Sequence, residues 1–262
     1  VSVLKLHNKS KIHDYLSRNT YLHIYGIGDL DDFYWRFTTW YGLQKNGDLK
    51  AVILLYTGLD IPVLIVLSDD IEPLSELLIE IIPYLPERFY AHLSPGMEKM
   101  IESEFHLKPH GCYYKMALQH PSRPGKINCP DVIRLNMDYL DRLLQLYDQS
   151  YPGHWFDERM LSSGQYFGMI EDNRLASVAG VHVYSSHYKV AALGNIATHP
   201  DYRGRGFGKK VTARLCQSLL ETVEIIGLNV KADNDPAIVL YKNLGFAVSN
   251  TYYEYMVEKA KT

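Results

Sequence analysis

One stretch constrains this chain more than any other. A run of small and β-branched residues ends at Thr198 and gives way to a turn, His199-Pro200-Asp201-Tyr202. Next comes Arg203-Gly204-Arg205-Gly206-Phe207-Gly208-Lys209-Lys210, which leads straight into a helix with Phe207, Val211, Leu215 and Leu219 at i, i+4 spacing. Three glycines at alternate positions let the backbone curl tightly with its N–H groups turned inward. The helix start adds unpaired donors and a partial positive charge. Together these make an anion site that needs few side chains. Arg203, Arg205 and Lys209 add positive potential.

Two familiar phosphate loops do not fit. A dinucleotide fingerprint needs G-x-G-x-x-G, and Gly204, Gly206 and Gly208 are spaced G-x-G-x-G. A Walker A loop ends in Gly-Lys-Ser/Thr, and Gly208 is followed by Lys209-Lys210.

The rest of the chain reads as an α/β (α+β) protein. Before the loop, the spacing predicts helices over 10–32, strands over 34–43 and 49–56 joined at Asn46-Gly47, and a strand over 61–67. A helix over 72–84, a strand over 89–93, a short helix over 97–104 and a strand over 112–118 follow. Residues 119–130 hold Pro121, Pro124, Gly125 and Pro130 and read as a linker. The pattern then restarts: helices over 138–147 and 157–162, strands over 166–171, 175–184 and 190–198, a helix over 206–223 and a strand over 225–231. It ends in a helix over 236–244, with Asp235 as N-cap and Pro236 at its first position, and a strand over 248–257. The expected organisation is an N-terminal domain over 1–120, a linker over 121–130 and a second domain over 131–262. The halves share an element order, and 107–116 resembles 246–256, which suggests an internal duplication.

Composition excludes several classes. Of 262 residues, 47% are hydrophobic and 22% charged, as in a folded globular chain. The net charge of −3 gives no basic surplus for a nucleic-acid partner. Cys112, Cys129 and Cys216 lie far apart, so neither a disulfide framework nor a metal site is expected. The longest apolar runs are too short to span a bilayer, so no membrane partner is expected. The opening Val1-Ser2-Val3-Leu4-Lys5 lacks the form of a signal peptide, and the expected location is cytoplasmic.

Arg203-x-x-Gly206-x-Gly208 resembles the acyl-CoA signature of the GNAT acetyltransferase superfamily. Asn195-Ile196-Ala197-Thr198-His199-Pro200 precedes it at the family's spacing. Residues 228–246, with Asn234, Ala237, Leu240-Tyr241 and Leu244-Gly245-Phe246, look like the family's second block. The resemblance covers about residues 130–257 and implies a GNAT acyl-CoA N-acyltransferase fold in the C-terminal half. The N-terminal half then reads as a mixed α/β domain, a degenerate copy without a glycine-rich loop. Some tandem members and the glycine N-acyltransferase-like group look like this.

The resemblance also implies roles. Acetyl-CoA would be the acyl donor, with no metal. Ile196, Ala197 and Thr198 would pair with the pantetheine arm. Gly204, Arg205, Gly206, Phe207, Gly208 and Lys209 would hold the pyrophosphate, and Asn234 would also contact the cofactor. Tyr241 would be the general acid: a phenol of pKa near ~10 can protonate a leaving thiolate of about 8.5. The positions where the family places a carboxylate base carry Asn229 and Ala192. His182, Glu171 and His154 are the candidates in their place, with a water chain as an alternative, while His199 reads as a turn residue. The acceptor would lie over the aromatic loop 150–156, whose rings and one imidazole suit a small-molecule amine or amino acid. A protein N-terminus or lysine as acceptor, and an acyl-CoA sensor without transferase activity, remain alternative readings. The sequence leaves the oligomeric state open.

Overall fold

Asn46 and Gly47 both take positive φ, 53° and 87°, and close a two-residue hairpin of the kind that Asn-Gly favours. It joins β2 (Thr38–Lys45) to β3 (Asp48–Tyr56), following β1 (Ser2–Leu6), α1 (Lys9–Leu16), α2 (Thr20–Gly28) and α3 (Asp32–Trp35). The computed structural model describes residues 2–260. After the hairpin come β4 (Val63–Val66), α4 (Ile71–Ile81), β5 (Arg88–Leu93) and β6 (Phe105–Leu118). The second half holds α5 (Ser122–Gly125), β7 (Ile133–Arg134), α6 (Leu140–Ser150), β8 (Phe167–Glu171), β9 (Arg174–Ser185), β10 (Val190–Thr198), α7 (Phe207–Leu219), β11 (Ile225–Lys231), α8 (Asp235–Asn243) and β12 (Phe246–Lys259).

The chain divides into two units. The first comprises Val1–Lys115, Val230–Asp233 and Val248–Thr262, and the second Met116–Asn229 and Asn234–Ala247. From Val248 onward the last strand therefore belongs to the first unit, where β12 pairs antiparallel with β5 from Tyr253↔Leu93 to Glu258↔Arg88. The sequence reading had given all of 131–262 to one domain. Local patterning identifies a strand but says nothing about which sheet accepts it.

In the first unit β4 and β5 run parallel, and α4 lies between them in the chain. Leu74, Leu77, Leu78 and Ile81 of α4 are wholly buried in one cluster with Ile53, Leu64, Phe89 and Leu93. That is the i, i+3, i+4, i+7 stripe the sequence displays. Each fully buried Leu or Ile of this kind stabilises the fold by roughly 1.5–3 kcal/mol.

The second unit repeats the plan. Its strand order is β11-β10-β9-β8-β7, with β10 and β11 parallel and the remaining pairs antiparallel. Val211, Leu215 and Leu219 of α7 and Leu143, Leu146 and Tyr147 of α6 are buried.

Three local expectations change. Residues 97–104 and 157–162 form 3₁₀ turns, Met97–Met100 and Glu158–Ser163, rather than α-helices. Asn234, not Asp235, caps α8, because its side-chain oxygen accepts the Ala237 N–H at 3.3 Å. The stretch 119–130 is fastened to the second unit. Gln217 donates to the carbonyls of Pro124 and Ile127 at 2.8 and 3.0 Å, and the N–H groups of Gln119 and His120 reach the Gly245 carbonyl. The short strands β1 and β7 went unpredicted, having too few residues to show a period.

Candidate active site

The site is built in the second unit where β10 leaves its neighbour. Parallel pairing with β11 runs from Val190↔Ile225 only to Leu193↔Leu228, although both strands continue. On its other side β10 pairs with β9, with a register shift at Ala192/Leu193 and a second break between Gly194 and Ala197. Within that break Asn195 has φ 53°. A left-handed residue inside a strand marks a bulge, which bends the strand and increases its twist. Beyond Asn195 lie Ile196, Ala197 and Thr198, past the last pair with β11, with Ala197 and Thr198 paired to Val178 and Ser177 of β9.

Thr198 leads into the loop. Gly204 and Gly206 have φ of 76° and 81°, and Gly206 is the N-cap of α7. No atom lies within 4 Å of where a Cβ would stand at either position. Glycine is required there by backbone conformation, and the surface above it is bare. Gly208 has a different reason: a Cβ would come within 3.2 Å of Thr198 Oγ1 and 3.4 Å of Leu240 Cδ1. The first turn of α7 therefore sits against the end of β10. No side chain caps α7, and its first turn carries no acid. The N–H groups of its first turn remain without helical partners.

Arg203, Arg205 and Lys209 are all exposed. Arg203 Nε donates to the Thr198 carbonyl at 3.2 Å, tying the loop to the strand. Arg205 pairs with Glu171 at 2.5 Å and lies 4.8 Å from the Phe207 ring centroid. Glu171 is thus a partner of the loop. On α8, the Asn234 side chain serves as the cap already described.

Two rings define the opposite side. Gly180 and Gly194 face each other across β9 and β10. A Cβ at Gly180 would strike the Tyr166 ring at 2.2 Å, and one at Gly194 would strike the His182 ring at 1.8 Å. Directly paired residues share a face of the sheet, so Tyr166 and His182 occupy a patch that the two glycines leave open. Tyr166 donates to the Val181 carbonyl at 3.0 Å and accepts from Asn195 Nδ2 at 3.1 Å. Tyr147 donates to the Asn195 carbonyl at 2.8 Å. Around Tyr147 stand His154 and Phe156, with ring centroids at 4.8 and 5.3 Å. His154 Nδ1 accepts the Phe156 N–H at 3.2 Å. His199 shapes its turn, bonding the Asp201 N–H and Gln149.

Tyr241 on α8 is buried, its ring 6.0 Å from Phe246. Burial, and then the Tyr151 phenol, push its pKa well up. Asn229 lies one residue past the last position of β11 that pairs with β10, and Ala192 is fully buried within that paired stretch.

The glycine loop and Tyr241 were legible in the sequence. The Tyr147–Asn195–Tyr166 group was not singled out, although Gly194-Asn195 inside a strand of apolar residues is a bulge signal. Among the described residues no three His, Cys, Asp or Glu are grouped to hold a metal ion, and no helix is long and apolar enough to cross a membrane.

Residues 131–246 match the profile of the Acetyltransferase (GNAT) family. N-alpha-acetyltransferase RimI of Mycobacterium tuberculosis is 30% identical over 114 residues, 41% of this chain and 68% of that protein. The chain belongs to the GNAT acetyltransferase family. A second GNAT relative, the ribosomal protein bS18-alanine N-acetyltransferase of Salmonella typhimurium, is 38% identical over 87 residues, 31% of this chain and 56% of its own. The chain spans about half the length of the first curated relatives it matches. A tandem GNAT protein from the clavulanic acid biosynthesis pathway shares the fold, with a TM-score of 0.59 at 13% identity, covering 100% of this chain and 99% of that one. Two GNAT-like halves fit the repeated element order.

Proposed function

We propose that this protein is an acetyl-CoA-dependent N-acetyltransferase acting on a primary amine of a small molecule or amino acid, by direct attack in a ternary complex. The observation that carries the reading is the bare, uncapped, acid-free start of α7 set against the end of β10, where pairing with β11 has stopped. That geometry fits a ligand with a pyrophosphate at one end and an extended amide-bearing arm at the other. Residues 204–209 would hold the pyrophosphate through backbone N–H groups and the helix dipole. Arg203 would keep the loop in place. Ile196, Ala197 and Thr198 would pair with the arm as an added strand would. Asn234 stands at the start of α8, where it would reach the same ligand. Acetyl-CoA, when bound, supplies the acetyl group as a thioester.

The residues divide the proton work. His182, beside Gly194, would take a proton from the acceptor's ammonium, freeing the amine to attack the thioester carbonyl. Imidazole as a side-chain type suits a base near neutral pH. Tyr241 keeps its proton at neutral pH because burial disfavours the phenolate. It would therefore donate to the departing thiolate. The rings of His154 and Phe156, packed on the buried Tyr147, would form an apolar wall for the acceptor.

A protein N-terminus is the second reading, favoured by the names of the two curated relatives. The test is release of CoA from acetyl-CoA with a mixed pool of small amines and amino acids, run beside peptides with free N-termini, and a direct binding titration. Release driven by small amines supports the first reading, and release driven only by peptides supports the second. Binding without release from either pool would favour an acyl-CoA sensor. In the active case, Tyr241→Phe lowers turnover far more than acetyl-CoA affinity, and equal turnover removes Tyr241 from the mechanism.

A further inference from the structure

The chain contains an internal control for the opening of β10. In the first unit β4 and β5 are parallel strands in the same place in the element order. Their pairing runs the full length of β4, from Val63↔Tyr90 to Val66↔Leu93. It continues past the strand end, where Ser94 N–H donates to the Val66 carbonyl at 2.9 Å and Ser68 N–H donates to Ser94 Oγ at 3.1 Å. β4 has no register break against β3, and no residue of β4 has positive φ. The following helix starts from Ser68-Asp69-Asp70 instead of a glycine loop. The same strand pair therefore stays zipped in one unit and parts in the other. Unlike β4, β10 shifts register against its antiparallel neighbour, at Ala192/Leu193 and again at Gly194/Ala197, and the second shift holds Asn195.

Asn195 is held from two sides. Its carbonyl accepts the Tyr147 phenol, and its Nδ2 donates to the Tyr166 phenol. The Tyr166 hydroxyl has one proton, which goes to the Val181 carbonyl, so the amide group facing it must be the NH₂. That fixes the Asn195 carboxamide with Oδ1 buried and without a hydrogen-bond partner. Asparagine tolerates the left-handed region that β-branched residues avoid. A residue that leaves one polar atom unsatisfied and takes an unusual φ persists where its neighbours over-determine it.

We propose that Asn195 is a positioning residue for the acyl donor: clamped between Tyr147 and Tyr166, it holds β10 in a bulge that keeps residues 196–198 from pairing with β11. The clamp, more than the glycine loop alone, distinguishes the donor-binding unit from its zipped counterpart. The inference rests on the donor-site reading above, but the strand opening itself can be measured without any ligand.

The experiment uses the full chain and two variants. Asn195→Gly keeps access to positive φ, and Asn195→Val disfavours it. Amide hydrogen exchange at residues 194–198 is measured in the free protein, and acetyl-CoA affinity by calorimetry. The Val variant is expected to slow exchange by about tenfold or more as β10 pairs with β11, and to weaken acetyl-CoA binding by about tenfold. The Gly variant keeps the positive φ and the Tyr147 bond but loses the bond to Tyr166, and is expected to fall between the parent and the Val variant in both. A folded Val variant with parental exchange and parental affinity overturns the proposal. If that variant does not fold, Tyr147→Phe decides. It removes only the bond to the Asn195 carbonyl and should raise the acetyl-CoA KM several-fold with the acceptor KM unchanged, while an unchanged acetyl-CoA KM overturns the clamp. Failure of the parent to bind acetyl-CoA would remove the donor-site reading. The exchange data would then still decide whether Asn195 holds the strands apart.

Discussion

The imidazole of His182 lies directly against the backbone of Gly194: a Cβ at 194 would come within 1.8 Å of His182 Cδ2 and 2.3 Å of Nε2. Position 194 therefore controls where the ring sits. Gly194→Ala must displace His182, the residue proposed to take the proton from the acceptor's ammonium. The expected result is a fall in kcat of about 10²-fold, the lower end of a general base's contribution, matched by His182→Asn. The pH–rate profile should lose its acidic limb in both variants. Retention of that limb in His182→Asn would assign the base to another group.

Gly206 caps α7 with φ 81° and nothing above it. A valine there faces a left-handed backbone that costs about 1–2 kcal/mol, and it covers the bare surface. Gly206→Val should lower Tm by a few degrees and abolish measurable acetyl-CoA binding. Gly125→Ala, with open space at its Cβ position and no positive φ, is the control and should change neither. Calorimetry and thermal melts check both. Parental affinity in Gly206→Val would show that the pyrophosphate site lies elsewhere.

Glu171 and Arg205 form an ion pair that is partly open to solvent on both sides. Such pairs contribute about 0–1 kcal/mol, so Glu171→Gln should leave Tm nearly unchanged. It should also free Arg205 for the anion and lower the acetyl-CoA KM, with an effect that fades as salt rises. A raised KM would mean that the pair's role is to shape the loop.

Asp29, buried at the end of α2, has its carboxyl pushed by desolvation up to about 8. The unfolded chain releases this proton near ~3.9, while the folded chain keeps it until about 8. Its contribution to stability is thus present below the unfolded value and is lost as pH rises through that window. Asp29→Asn removes the slope. The variant's Tm relative to the parent should climb by about 2–4 °C per pH unit between pH 5 and 7.5, from a slope near ~1.4 kcal/mol per unit. His23, pushed down to about 4 by burial first and then by Lys115, gives the opposite slope between pH 6.5 and 4 and largely cancels in the difference. A flat difference would mean that Asp29 is ionised in the folded chain.

The sequence carried the parts of the fold that depend on local pattern. Asn46-Gly47 had to turn, the leucines of α4 had to face a core, and Gly204 and Gly206 had to take positive φ. It carried the glycine loop for the same reason, because three glycines and a helix start are local. It did not carry the partner of β12, which is set by a contact between residues about 160 apart. Nor did it carry the Tyr147–Asn195–Tyr166 clamp, whose members come from a helix, a strand and the start of another. Each of those side chains looks ordinary alone. The linker expected over 121–130 was misread because proline and glycine mark irregular backbone, not freedom from packing.

The most direct measurement is a calorimetric titration of the full chain with acetyl-CoA. One site per chain is predicted, since among the described residues the open strand, the glycine loop and an acid-free helix start come together in the second unit and not in the first. The site should disappear in Gly206→Val and persist when Asp69 and Asp70 are changed to Asn. Two sites per chain, or one that survives Gly206→Val, would contradict the account.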